Sequence, residues 1–141
     1  MKRHALSIVS LLSLVLMGSA VAQTIQVRSD VPFSFSVGST ALPAGAYDIT
    51  SISPNSHTLL VKARDGSASM IVNSNAAVRM DGAEKTKLVF NRYGSQYFLA
   101  EIWREGSTSG NQLPKSSREK ELAKELAMGH ADRVVIVARL Y

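Results

Sequence analysis

The chain has 141 residues, no cysteine, and 16 Lys and Arg against 11 Asp and Glu, which gives a formal net charge of +5 at pH 7. The lack of cysteine excludes thiol nucleophiles, iron–sulfur clusters, cysteine zinc sites and a lipoprotein anchor. The basic residues are scattered rather than clustered, so the contiguous basic face of a nucleic-acid-binding protein is not predicted.

The first 22 residues have the three parts of a secretory signal peptide. Residues 2–4 are basic, residues 5–17 are apolar, and residues 20–22 are the small run Ala-Val-Ala. The apolar run reaches about 20 Å as a helix, short of the roughly 30 Å hydrocarbon core of a membrane. We therefore predict cleavage near Gln23, which lowers the net charge to +3 through loss of Lys2 and Arg3. The product, residues 23–141, is predicted to be a single β-domain, periplasmic or secreted, with no remaining membrane span.

The first strand signal follows the predicted cleavage point. Val31, Phe33, Phe35 and Val37 alternate with small or polar residues, which predicts one half-buried strand. Pro32 has no N–H to donate, so the start of this strand is expected at a sheet edge.

A hairpin is predicted around Asp65-Gly66, a pair suited to a type I′ turn. Its strands are residues 59–64 and 67–72. A two-residue loop fixes the register, so Val61 should face Met70 and Leu60 should face Ile71.

A second hairpin is predicted around Gly94-Ser95, between residues 85–93 and 96–104. Both of its faces are partly apolar, which is typical of strands covered on each side by another layer. We expect this hairpin at the structural centre. The expected register places Phe90 opposite Leu99, and Val89 opposite Ala100 with Ile102 on the same face.

One helix is predicted late in the chain. Ser116 and Glu119 have the spacing of a capping box, Leu122 and Leu126 are one turn apart, and Gly129 can close the end. The apolar stripe is narrow, so the helix should lie on the surface.

Residues 105–112 are predicted to be a loop, the helix to occupy about 116–128, and residues 132–141 to return to a strand that pairs inside the sheet. Many short strands with closely spaced turns and one late surface helix predict an all-β fold, either an antiparallel β-sandwich or a small, partly open barrel.

No catalytic or metal-binding motif is visible after residue 22. His57 and His130 are isolated and lack zinc-site spacing, so neither a metal nor a cofactor is predicted. A hydrolase would require Asp48, His57 and a serine to converge in space without any supporting local motif. The carboxylates Glu119, Glu121 and Glu125 are explained by solvation and pairing with basic neighbours on the helix. We therefore predict a non-enzymatic protein.

Four residues of the second hairpin are the best candidates for a ligand site: Arg92, Tyr93, Tyr97 and Trp103. Tyr97 and Trp103 are six residues apart and would share a face of a regular strand, where two rings could form a platform for a saccharide or a lipid. The alternative is that these aromatic residues belong to the core or its rim.

The aromatic residue at the end of the last strand also suggests an outer-membrane barrel. Spanning strands of about nine to eleven residues would use most of residues 23–141, and the charged helix interrupts the required meander. This alternative is therefore disfavoured.

Four segments, together with the signal peptide, resemble a group of small, uncharacterised exported bacterial β-proteins: VPFSF at 31–35, LPAGAY at 42–47, LVFNRYG at 88–94, and LPKS at 113–116 leading into Arg118 and Glu119. The resemblance supports the architecture and transfers no catalytic residue, since the group has no assigned activity. The leading hypothesis is an exported β-domain that contacts a protein or an envelope polymer. The alternative is a small-ligand binding protein.

Overall fold

The computed structural model describes residues 25–54, 56–127 and 130–141. Two β-sheets face each other across a shared apolar core, with one short helix late in the chain. This arrangement confirms the predicted all-β sandwich with one late helix. The predicted signal peptide and the role of Gly129 lie outside the described residues.

The described residues form twelve strands and one helix: β1 (Gln26–Val31), β2 (Phe35–Val37), β3 (Thr40–Leu42), β4 (Gly45–Ser51), β5 (Thr58–Ala63), β6 (Ser69–Asn73), β7 (Asn75–Val78), β8 (Lys87–Tyr93), β9 (Gln96–Trp103), β10 (Ser109–Gln112), α1 (Ser117–Glu125), β11 (Asp132–Val137) and β12 (Arg139–Leu140). Sheet A has the strand order β12-β1-β4-β5-β6. Sheet B has the order β11-β8-β9-β10-β7, and β2 and β3 join it beside β9.

The core lies between the inner faces of the two sheets. In β4, for example, Tyr47 and Ile49 are buried while Asp48 and Thr50, which alternate with them, are not. Aromatic rings meet edge to face in the centre, with Phe35 contacting both Tyr47 and Phe90 at centroid distances of 5.0 and 5.4 Å. The period of two in β4 therefore reflects burial of one face of that strand.

The chain passes from sheet A to sheet B at Ser74, between β6 and β7. The N–H and hydroxyl of Ser74 both donate to the carbonyl of His57, at 2.9 and 2.7 Å. Asn111 of β10 donates from Nδ2 to the Ser74 hydroxyl oxygen at 2.8 Å. This buried serine thus bridges the two sheets at one side of the sandwich.

The chain returns from sheet B to sheet A at Ala138, between β11 and β12. The Ala138 N–H donates to the carbonyl of Thr86 at 2.9 Å, and the Ser29 hydroxyl donates to the carbonyl of Val137 at 3.2 Å. Residues 132–141 are therefore mostly extended, as predicted, but they do not form one strand inside a sheet: Ala138 divides them into β11 and β12, which are outer strands of different sheets.

The hairpin around Asp65-Gly66 has the predicted register, with Val61 opposite Met70 and Leu60 opposite Ile71. The turn type differs from the prediction: Gly66 has φ +79°, but Asp65 lacks the positive φ that a type I′ turn also requires. The second hairpin joins β8 to β9 at the centre of sheet B, also as predicted.

The register of the second hairpin is only half as predicted, because β9 contains a β-bulge. Phe90 lies opposite Leu99, as expected, but Val89 lies opposite Glu101 instead of Ala100. Ala100 is the extra residue, and its carbonyl accepts the N–H of Leu113 at 2.8 Å. A bulge reverses the alternation of faces beyond it. Ile102 therefore joins the core with Leu99 rather than sharing a face with Val89.

The single strand predicted over residues 31–37 is wrong. β1 of sheet A ends at Val31, and β2 of sheet B begins at Phe35. Pro32 falls in the crossing between the sheets, where its missing N–H removes no ladder hydrogen bond.

The loop predicted over residues 105–112 is wrong in its second half. Ser109–Gln112 forms β10, which pairs with β9 on one side and β7 on the other. Gly110 lies directly beneath Trp103, and a Cβ built there would lie 2.6 Å from the indole ring. Gly110, which favoured a loop in the sequence, is therefore a residue whose missing side chain allows close packing under a tryptophan.

The helix α1 spans Ser117–Glu125, a shorter range than the predicted 116–128. The Ser116 cap is confirmed, since its hydroxyl oxygen accepts the N–H of Glu119 at 3.2 Å. Leu122 is buried against Tyr93 and Phe98 on the outer face of sheet B. One edge of the helix therefore covers one end of that sheet.

Candidate functional site

The structure does not bring the four predicted ligand-binding residues together. Tyr97 precedes the bulge and faces the core, where it stacks on Phe33 with a centroid distance of 3.8 Å. Trp103 follows the bulge and packs on the outer face of sheet B against Ala83 and Val89. The two rings lie on opposite faces of the sheet, so they cannot form one platform.

Tyr93 is engaged inside the fold, and Arg92 is held in an exposed ion pair. Tyr93 is only 1% exposed, and its hydroxyl donates to Oε1 of Glu119 at 3.1 Å. Burial, together with this carboxyl group, raises the pKa of Tyr93 to about 12. Arg92 pairs with Asp132 at 2.9 Å. Four surface cavities among the described residues include neither Tyr97 nor Trp103 in their linings.

Glu119 is buried, which contradicts the predicted solvation of the helix carboxylates. Its Oε1 accepts hydrogen bonds from Nδ2 of Asn91 at 2.9 Å and from the hydroxyl of Tyr93. Glu121 and Glu125 are exposed, as expected. The sequence contains a signal for this contact, since Asn91 directly follows the apolar run Leu88-Val89-Phe90 in a central strand of sheet B.

A second polar group adjoins the first on the outer face of sheet B. Arg133 of β11 donates to Oδ1 of Asn91 at 3.3 Å and to Oε1 of Glu101 at 2.6 Å. Trp103 donates from Nε1 to Oε2 of Glu101 at 2.7 Å. Burial opposes ionisation of Glu101, yet these two donors hold its pKa below the usual value. We call these linked residues the outer-face network: Asn91, Tyr93, Glu101, Trp103, Glu119 and Arg133.

A cavity of about 480 Å³ opens beside this network. Its lining includes Asn91, Gln112, Lys115, His130 and Arg133. The guanidinium of Arg133 is already held by Glu101, and Lys115 and His130 are exposed. The cavity is polar and open, with no aromatic wall.

Asp48 and His57, the acid and base of the hypothetical hydrolase, are not hydrogen-bonded to each other. Asp48 lies on the outer face of sheet A, where Arg28 holds it with two hydrogen bonds of 2.8 and 3.1 Å and lowers its pKa. His57 lines a separate cavity of about 330 Å³ with Ser51 and Asn111. The structure therefore assembles no acid–base–nucleophile trio from these two residues.

In the three described stretches of the chain, no group of three or more His, Asp or Glu side chains is placed to hold a metal ion. Over the same stretches, no helix is long and apolar enough to cross a membrane.

The most unusual surface is the outer side of β6 and β7. β6 pairs only with β5, and β7 only with β10, among the described residues. In β6 the even-numbered residues point their peptide groups at β5, as shown by the hydrogen bonds of Ala68 and Ser74. By the alternation of an antiparallel ladder, Ser69, Ile71 and Asn73 direct theirs outward.

The same alternation applies to β7. Arg79 donates its N–H to Thr108 at 2.8 Å, so the odd-numbered residues face β10. Ala76 and Val78 direct their peptide groups outward. We call the resulting open strand side, from Ser69 to Val78, the β6–β7 edge.

The β6–β7 edge lacks the usual protection of an outer strand. Residues 67–78 contain no charged residue and no proline. Ile71 is 63% exposed and Val78 is 81% exposed. Outer strands in native proteins are commonly guarded by charges, proline or a covering segment. An unguarded one is a template for pairing with another strand.

The opposite side of the sandwich, formed by β11 and β12, is guarded. It carries Asp132, Arg133 and Arg139, and Ser29 covers the carbonyl of Val137. We call it the β11–β12 edge. Of the two outer strand pairs, only the β6–β7 edge offers open peptide groups without a charged side chain.

Comparison with protein-family models, with curated proteins and with solved structures finds no match to this chain.

Proposed function

We propose that this protein is an exported, non-enzymatic interaction domain that binds extended protein segments by strand addition at the β6–β7 edge. The observation that carries the proposal is the row of five outward peptide groups at Ser69, Ile71, Asn73, Ala76 and Val78. In strand addition, hydrogen bonds to the main chain supply affinity, and neighbouring side chains supply specificity.

The side chains of β6 suit an added strand. Ile71 is exposed on the outer face of sheet A, while Met70 and Val72 are half-buried against the core. An added strand would cover more of these three apolar side chains and would remove more apolar surface from water. Both faces of the added strand would thus gain contacts.

The alternative function, binding of a saccharide or lipid near Tyr97 and Trp103, has weaker support. The bulge separates the two rings, and both are packed within the fold. The polar cavity beside Arg133 has no aromatic surface on which a sugar ring could stack.

A peptide-binding measurement tests the proposal. The probe is a fluorescein-labelled peptide of alternating threonine and valine, with a lysine at each end for solubility. We expect its fluorescence anisotropy to rise on addition of the protein. We also expect hydrogen exchange at the amides of Ser69, Ile71 and Asn73 to slow in the complex.

Two matched variants locate the binding strand. Ile71→Pro removes an outward N–H that makes no hydrogen bond within the fold, so it should abolish peptide binding and leave the protein folded. Val135→Pro makes the same change on β11, where the N–H also points outward, and should leave binding intact. Failure of the peptide to bind at protein concentrations at which the chain is a monomer, or equal loss in both variants, would refute the proposal.

A further inference from the structure

We infer that the segment paired at the β6–β7 edge is β6 of a second copy of this protein, arranged antiparallel about a two-fold axis at Ile71. This inference rests on the proposed function and names its partner. The dimer would join two copies of sheet A into one continuous sheet of ten strands.

The charge pattern favours self-pairing. When a strand pairs with its own copy, each charged residue adds a like charge to the same short interface, which is destabilising. β6 and β7 carry no charge, so this repulsion is absent. Self-pairing of the β11–β12 edge would bring together two copies of Asp132, Arg133 and Arg139 instead.

The apolar pattern also favours a second copy. Met70, Ile71 and Val72 are consecutive, so β6 has an apolar side chain on each face: Met70 and Val72 on the inner face, and Ile71 between Ser69 and Asn73 on the outer face. A strand that placed a polar residue opposite Ile71 would bury that residue against an apolar side chain. In the register centred on Ile71, a second β6 places Ile71 against Ile71 and the polar Ser69 against the polar Asn73.

Only one antiparallel register about Ile71 uses every outward peptide group of β6. Ile71 lies opposite Ile71 of the second copy, and Ser69 lies opposite Asn73 of the second copy. Each of these positions is a hydrogen-bonded pair, which exchanges two N–H to carbonyl bonds. The three pairs together form six hydrogen bonds across an isologous interface.

The interface is a single pair of five-residue strands, smaller than a typical permanent dimer contact. The association should therefore depend on concentration. We expect the average mass of the purified protein, measured by light scattering after size exclusion, to rise from monomer toward dimer as the concentration increases.

The absence of native cysteine permits a sharp test of the register. In a hydrogen-bonded antiparallel pair the Cα atoms are about 5.5 Å apart, within the range of about 4.4–6.8 Å that a disulfide spans. Ile71→Cys should form a covalent dimer on mild oxidation. Ser69→Cys alone should not, because its copy lies about 14 Å away along the strand.

A mixture of Ser69→Cys and Asn73→Cys proteins should form mixed covalent dimers, since these positions are opposite each other. Val135→Cys, on the other edge, is the matched control and should stay uncrosslinked. The Ser69 and Asn73 variants also test the register if Ile71→Cys fails to fold.

A monomeric mass up to about millimolar protein, together with no cross-linking of Ile71→Cys, would overturn the inference. Cross-linking of Ser69→Cys alone would indicate a parallel pair, and cross-linking of Val135→Cys would indicate the wrong edge. Either result would also overturn it. A monomer that still binds the threonine–valine peptide would reject self-pairing alone and leave the proposed function standing.

Discussion

The two sides of this sandwich are built alike in the backbone and differently in their side chains. At each side one continuous stretch passes from one sheet to the other, through Ser74 at the β6–β7 edge and through Ala138 at the β11–β12 edge. The second side is backed by Arg133, which links β11 to Asn91 and Glu101. The first side has no such charged link. Protection of an outer strand is thus a property of side chains and not of topology.

The difference also separates two tasks. The outer-face network, Asn91, Tyr93, Glu101, Trp103, Glu119 and Arg133, joins the helix to sheet B and to β11. Its buried polar atoms are hydrogen-bonded to one another. The β6–β7 edge directs peptide groups away from the fold, where they are open to external partners.

The largest expected effect is at Glu119, on the guarded side. Glu119→Ala removes the acceptor of both Asn91 and Tyr93 and leaves two buried donors without a partner. We expect a loss of about 3 kcal/mol in the free energy of unfolding, measured by urea denaturation. Glu119→Gln keeps an oxygen at this position and should lose about 1 kcal/mol. Equal losses in the two variants would show that the acceptor oxygen is unimportant.

The next prediction compares Ser74 and Ala138, the two positions where the chain passes from one sheet to the other. Ser74→Ala leaves the Nδ2 of buried Asn111 without its acceptor and should lower the free energy of unfolding by about 1.5 kcal/mol. Ala138→Ser adds a hydroxyl at a half-exposed position and should change it by less than about 0.5 kcal/mol. A larger loss of stability in Ala138→Ser than in Ser74→Ala would show that the hydrogen bonds of Ser74 do not stabilise the passage between β6 and β7.

The third effect is confined to alkaline solution. The pKa of Tyr93 is about 12 in the folded protein against 10.0 in the unfolded chain, mainly because of burial and then because of Glu119. The folded form therefore keeps its proton where the unfolded form has lost it. The stabilisation from this group is complete below pH 10 and declines as the pH rises from 10 to 12. In Tyr93→Phe the decline should be shallower, as measured by thermal unfolding across this range.

The smallest effect on stability is expected at the exposed valine and isoleucine of the two edges. Ile71→Lys and Val135→Lys should each change the free energy of unfolding by less than about 0.5 kcal/mol, since both side chains are more than half exposed. Their effects on association should differ, because only Ile71 lies on the unguarded side. Light scattering of the two variants at equal concentration measures this difference. Equal association of the Ile71→Lys and Val135→Lys variants would contradict the proposed difference between the two edges.

Local sequence signals predicted local structure well. Three correct predictions, the position of the turn at Asp65-Gly66, the register of its hairpin and the Ser116 cap, depend on residues within a few positions of each other. Alternation of apolar residues likewise identified most of the strands. Such features are determined by backbone geometry and short-range hydrogen bonds, so they need no knowledge of distant partners.

The features that escaped prediction depend on distant partners. Phe98, Leu99 and Ala100 are all apolar, so the sequence does not show where the alternation of β9 shifts. β10 is polar and glycine-containing, and it is a strand because β9 and β7 flank it. The burial of Glu119 depends on Asn91, 28 residues earlier in the chain. The prediction of an aromatic platform was wrong for the same reason as the predicted pairing of Val89 with Ala100, because both predictions assumed that β9 is a regular strand.

The bulge at Ala100 determines which side chains in the second half of β9 face the core and which face outward. Removal of one residue there would exchange the environments of Ile102 and Trp103, placing an indole in the interior and an aliphatic chain outside. Any recombination of this domain with another must therefore keep the one extra residue between the two halves of β9. A length change of a single codon would be more disruptive here than many replacements.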